Sequence, residues 1–89
     1  MATRTEIMQQ LERLVPIVER VHGDNHKELH DVSLLFEELE GYYQSDRFDE
    51  TSEIFEKLKH VTNNYQLPED ACQGYQELYS LLQQLEQRE

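Results

Sequence analysis

Residues 29–43 read Leu29-His-Asp-Val32-Ser-Leu-Leu35-Phe36-Glu-Glu-Leu39-Glu-Gly-Tyr-Tyr43, and their spacing decides the fold class. Leu29, Val32, Phe36, Leu39 and Tyr43 fall at alternating steps of three and four, with Leu35 beside them. Only a helix with one buried face brings such positions together, because a strand would alternate apolar and polar residues. Upstream, Ile7, Leu11, Leu14, Val18 and Val21 repeat the pattern, widened by Val15 and Ile17. Pro16 lacks a backbone N–H, so a bend near residues 12 to 16 or a later start is expected. His22, Gly23, Asp24 and Asn25 stop this helix, with Gly23 suited to a left-handed cap and Asp24 or Asn25 to opening the next one. The second helix should end near Gly41 to Gln44. Ser45 or Asp46 then caps a third helix carrying Phe48, Ile54, Phe55, Leu58 and Val61, which Asn63 and Asn64 end. Pro68 suits the first turn of a fourth, whose buried line is Ala71, Tyr75, Leu78, Leu82 and Leu85. The spacing predicts one all-α domain over residues 1–89, an antiparallel up-down-up-down four-helix bundle.

Composition narrows the function classes. The chain has 89 residues, of which 37% are hydrophobic, and its 8 basic and 19 acidic residues give a net charge of −11. A field of that sign repels phosphate backbones and anionic lipid heads, which argues against nucleic-acid or membrane-surface binding. No apolar run approaches the ~20 residues of a membrane span. Cys72 is the single cysteine, so no intrachain disulfide forms, and with no signal-peptide pattern at the start a reducing cytoplasm is expected. There is no glycine-rich phosphate loop, no Cys-x-x-Cys pair and no nucleophile–His–acid order, so the reading leans away from an enzyme.

The chemistry-bearing residues gather at one end of the expected bundle. His22 ends helix one, His26 and His30 lie in the first turns of helix two, His60 is near the end of helix three, and Cys72 is about a turn into helix four. His26 and His30, spaced i, i+4, would share a helix face, so nitrogen and oxygen ligands including Asp24 and Glu28 could converge on a divalent metal. The alternative is that these histidines are ordinary boundary residues. A helix N-terminus favours a reactive Cys72 thiolate, while Glu69 and Asp70 oppose it, and a buried cysteine would act as a small hydrophobe. The acidic runs Glu37, Glu38, Glu40 and Asp46, Asp49, Glu50, Glu53 are expected mostly to face water.

Two stretches carry a resemblance. Val18-Glu-Arg-Val-His-Gly-Asp-Asn-His-Lys-Glu-Leu29, followed by Leu35-Phe36-Glu-Glu-Leu39, and Leu58-Lys-His-Val-Thr-Asn-Asn64 leading into Pro68-Glu-Asp-Ala-Cys72 resemble the hemerythrin-like domain of the iron-sulfur cluster repair di-iron proteins, the repair of iron centres family. The resemblance covers roughly residues 17 to 82. It implies a four-helix bundle in which His and Glu side chains hold two irons, and a role in restoring iron-sulfur clusters damaged by oxidative or nitrosative stress. Carried over by position, the family's ligands fail to appear. One His-x-x-x-Glu pair falls on Tyr42 and Asp46, and the histidine opening the third helix falls on about Phe48. The first ligand histidine falls at or before Met1, and the closing pair beyond Glu89. Aromatic packing at Tyr42 and Phe48, against Ile7, Leu85 or the neighbouring termini, would then replace coordination.

The expected function is therefore that of an accessory or binding module in iron-sulfur or stress homeostasis, without the family di-iron cofactor and with a protein partner or a second copy bound. The alternatives are a repair protein binding iron or another divalent metal at the His22, His26, His30 and His60 end or between subunits, and a helical adaptor unrelated to iron. The charge of −11 makes one outcome independent of these choices. Salt screens carboxylate repulsion, so the thermal midpoint in differential scanning calorimetry should rise between low and physiological salt.

Overall fold

The computed structural model describes residues 3–87, and among these are four α-helices, one 3₁₀ turn and no strand. Helix α1 spans Arg4–His22, α2 Glu28–Gln44, α3 Ser52–Val61 and α4 Gln73–Gln87, with the 3₁₀ turn at Phe48–Glu50 between α2 and α3. The apolar stripes determine which faces meet. Ile7, Leu11, Val15 and Val18 of α1, Leu29, Val32, Phe36 and Leu39 of α2, and Tyr75, Leu78, Leu82 and Leu85 of α4 are buried in one core, joined by Ile54, Phe55 and Leu58 of α3. Helix α1 packs against both α2 and α4, while α3 packs against α2. The radius of gyration is 12.2 Å, close to the ~12 Å expected for a compact chain of this length.

Several local expectations are corrected. Helix α1 does not start late. Thr3 and Glu6 form a reciprocal capping box, and the helix continues through Pro16. Gly23 is not left-handed (φ −60°). Its missing Cβ matters for space instead, since a Cβ there would collide with the Glu19 carbonyl and come within 2.9 Å of the His30 ring. Neither Asp24 nor Asn25 caps α2, which follows Lys27 with no side-chain cap. The same is true of Ser45 and Asp46: Phe48 sits in the separate 3₁₀ turn, and α3 opens after Thr51. Pro68 lies in the loop before α4, so Ala71 and Cys72 precede that helix. On α1, Val21 and Ile17 are 63% and 48% exposed, outside the core they were expected to join.

The loop after α3 is the least ordinary backbone. Asn63, Asn64 and Tyr65 are all left-handed, with φ of 53°, 61° and 61°. Each such residue other than glycine carries a steric cost of roughly 1–2 kcal/mol. Buried Thr62 holds the turn, donating from its hydroxyl to the Leu58 carbonyl at 2.7 Å and accepting from the Tyr65 N–H at 2.9 Å. The Tyr65 ring then packs edge-on against Tyr79 of α4.

Pro16 is exposed, yet it removes the N–H that would bond the Glu12 carbonyl. Replacement by alanine restores a donor without losing core contacts. Pro16→Ala should therefore raise unfolding free energy by about 1–3 kcal/mol, measured by urea denaturation.

Candidate functional site

The two connections His22–Lys27 and Thr62–Cys72 bring polar side chains of distant sequence to one corner. The His22 Nε2 and Cys72 Sγ atoms are 3.1 Å apart. His26 donates from Nε2 to both Asp70 carboxylate oxygens, at 2.9 and 3.1 Å, while its Nδ1 lies 3.5 Å from Glu28. Beneath them Tyr75 is fully buried. Its ring centroid is 5.2 Å from His22 and 5.7 Å from His26, and its hydroxyl donates to Glu28 at 3.2 Å. Burial, then the neighbouring Tyr79 and Glu28, pushes the Tyr75 hydroxyl pKa well above its ordinary value, so this hydroxyl serves as a donor. The hydrogen bond from His26 holds Asp70 below its ordinary value.

This geometry unites some of the sequence-expected residues and separates others. Cys72 is exposed and just precedes α4, its carbonyl accepting from the Gln76 N–H at 3.0 Å. It is not a turn inside the helix. A thiol beside an imidazole can pass its proton to nitrogen, and both atoms are soft or borderline metal ligands. His26 precedes α2, so it shares no helix face with His30. His30 instead donates from Nδ1 to Glu19 at 2.7 Å. His60 is exposed on α3, lining a different groove with Leu34 and Val61. Among the described residues no three His, Cys, Asp or Glu side chains are arranged to hold a metal ion.

At the opposite connection lie the positions that the resemblance assigns to iron. Tyr42 sits under the Arg47 guanidinium, 4.9 Å from the ring centroid. Phe48 is half-buried, edge-on to Tyr43 at 5.0 Å, with the Arg4 guanidinium 4.3 Å over its ring. The Arg4 contact places Phe48 beside the N-terminal end of α1, one of the expected neighbours, and Tyr42 packs against the core cluster that includes Ile7 and Leu85. Asp46 is exposed, with a left-handed backbone (φ 56°). A guanidinium stacked at the Phe48 position already supplies positive charge there, and two aromatic rings offer no imidazole nitrogen. These residues do not fit a di-iron centre.

Beside this stack is a cavity of about 460 Å³ whose wall includes Arg4, Glu12, Glu40, Tyr43 and Phe48. Of the acidic runs, Glu40 is the member that turns inward. Its burial, the hydrogen bond it shares with Glu12 across α1 and α2, and the charges of Glu12 and Glu37 raise its pKa to about 7. No helix spacing signals this pair, because it depends on how α1 and α2 are rotated against each other.

No family model matches the chain, and no curated protein or solved structure is significantly similar to it.

Since the folded state raises the Glu40 pKa from 4.5 to about 7, folding favours its protonated form. The resulting stability is complete below the unfolded value and is lost as pH rises through about 7. Glu40→Gln removes that dependence. Urea midpoints should match those of the unaltered protein near pH 5 and exceed them near pH 8.

Proposed function

We propose that this chain is a bundle of the hemerythrin-like, iron-sulfur cluster repair kind, with its four helices running up-down-up-down. In this reading it acts in the cytoplasm as an accessory module that binds a protein partner in iron-sulfur or stress homeostasis. The observation that carries the reading is the meeting of the two resemblance-bearing strings. His22 and His26 of the first contact Cys72 and Asp70 of the second, across 50 and 44 residues of sequence. The neighbour relations of α1 with α2 and α4, and of α2 with α3, suit that topology. At Tyr42 and Phe48, aromatic rings stacked on Arg47 and Arg4 stand where the family pattern calls for histidine. Packing thus takes over from coordination at that end, which favours a binding role over metal-based repair chemistry.

A second reading, metal binding at the other end, is favoured by the 3.1 Å approach of the His22 nitrogen and the Cys72 sulfur. Metal content separates the two. Protein purified without an affinity tag, subjected to elemental analysis and then to anaerobic ferrous titration, should bind no pair of irons per chain. It should nevertheless speed recovery of a peroxide-inactivated iron-sulfur dehydratase in a cell extract. Two irons per chain that are lost on Asp46→Ala would refute the packing argument. Stoichiometric metal lost on His22→Ala or Cys72→Ser would establish the second reading, and an unchanged recovery rate would remove the iron-sulfur role.

A further inference from the structure

The face between α2 and α3 carries an open groove of about 660 Å³. Its α2 wall is Asp31, Leu34, Leu35 and Glu38, an i, i+3, i+4, i+7 stripe. Glu53, Glu56, Lys57, His60 and Val61 repeat that spacing on α3. The apolar floor comes from Leu34, Leu35 and Val61, and Leu34 is 61% exposed although it lies next to the buried Leu35. The edges are charged in one sense. Asp31 and Glu38 line one side and Glu53 and Glu56 the other, against a single lysine, Lys57, which already lies 4.0 Å from Glu53.

We propose that this groove is a docking site for an amphipathic helix with basic flanks, supplied by a partner protein. The α2 and α3 stripes form a trough into which a third helix can lay an apolar ridge. Charge complementarity selects the occupant: Lys or Arg flanking the apolar line would meet carboxylates on both edges. A second copy of the chain is disfavoured, because each copy carries a net charge of −11 and would bring acidic edges together. Lipid headgroups and nucleic acid are opposed by the same field. The inference rests on the binding-module part of the function proposed above, and not on iron.

The test uses the full chain and a synthetic helical peptide of roughly four turns, with leucines at i, i+3, i+4 and i+7 and lysines flanking them. A control peptide keeps the leucines and replaces the lysines with glutamates. By fluorescence anisotropy the basic peptide should bind and the acidic one should not, with affinity falling as salt is raised. Leu34→Ser should weaken binding by about tenfold or more, since an exposed central anchor is lost. The charge-reversed Glu38→Lys, Glu53→Lys double variant should weaken it similarly and flatten the salt dependence. Both alter exposed side chains, and unchanged circular dichroism would establish that the fold is kept.

No binding of the basic peptide, equal binding of the acidic one, or full affinity in Leu34→Ser overturns the proposal. So does a concentration-dependent dimer that Leu34→Ser dissociates, which would seat a second copy in the groove. The dehydratase recovery assay reports separately on the iron-sulfur role. Peptide binding without stimulated recovery would leave the groove standing and remove that role, whereas stimulated recovery without peptide binding would do the reverse.

Discussion

The fully buried Tyr75 ring is the constraint around which the rest of this corner is arranged. A phenol can be buried at low cost only if its hydroxyl keeps a partner, and here Glu28 accepts from it at 3.2 Å. That requirement ties α4 to the start of α2. His22 and His26 cover the ring from above, and their outward nitrogens meet Cys72 and Asp70. The loop that supplies Asp70 and Cys72 is set in turn by the left-handed run at Asn63, Asn64 and Tyr65, anchored by Thr62. A strained turn, a buried phenol and two histidine contacts thus form one connected unit. In such a unit the polar groups serve packing as directly as they could serve chemistry, because each fills the hydrogen-bonding capacity of a neighbour.

The other end follows a different logic. Arg4, Tyr43 and Phe48 form a cation–aromatic stack that closes the core beside the turn between α2 and α3. Beside the stack, partial burial, the hydrogen bond to Glu12 between α1 and α2, and the charges of Glu12 and Glu37 raise the Glu40 carboxyl pKa to about 7. In an acidic chain this is an economical arrangement, since a shared proton removes one repulsion where two helices must approach. The positions that the resemblance assigns to iron are engaged in this packing or turned toward water.

Sequence periodicity located the helices well where buried residues repeat without competition. The α2 stripe from Leu29 to Leu39 and the α4 stripe from Tyr75 to Leu85 are buried as read. It misplaced helix starts, because several residues near each boundary could serve as caps. Pro68 and Asp46 each looked suited to opening a helix, yet the helices open at Gln73 and Ser52. The periodicity also counted Val21 in the buried line of α1, although it is 63% exposed. On α2 the stripe took in Leu35 and left out Leu34, and the structure buries Leu35 while Leu34 is exposed on the acidic groove.

The sequence by itself determined the all-helical class, the strong negative charge and the grouping of His22, His26 and Cys72 near chain reversals, because each follows from local spacing or simple counting. It did not determine which of these residues would meet. Tertiary structure decided that His22 faces Cys72, that His26 takes Asp70 rather than sharing a face with His30, and that His60 lies in a separate groove. It also decided the Glu12–Glu40 pair and the Arg4–Phe48 stack. The physical reason is common to all of them. Helical periodicity fixes the direction of a side chain relative to its own helix axis, whereas a contact between helices depends on their mutual rotation and offset, which are set by packing the whole core at once.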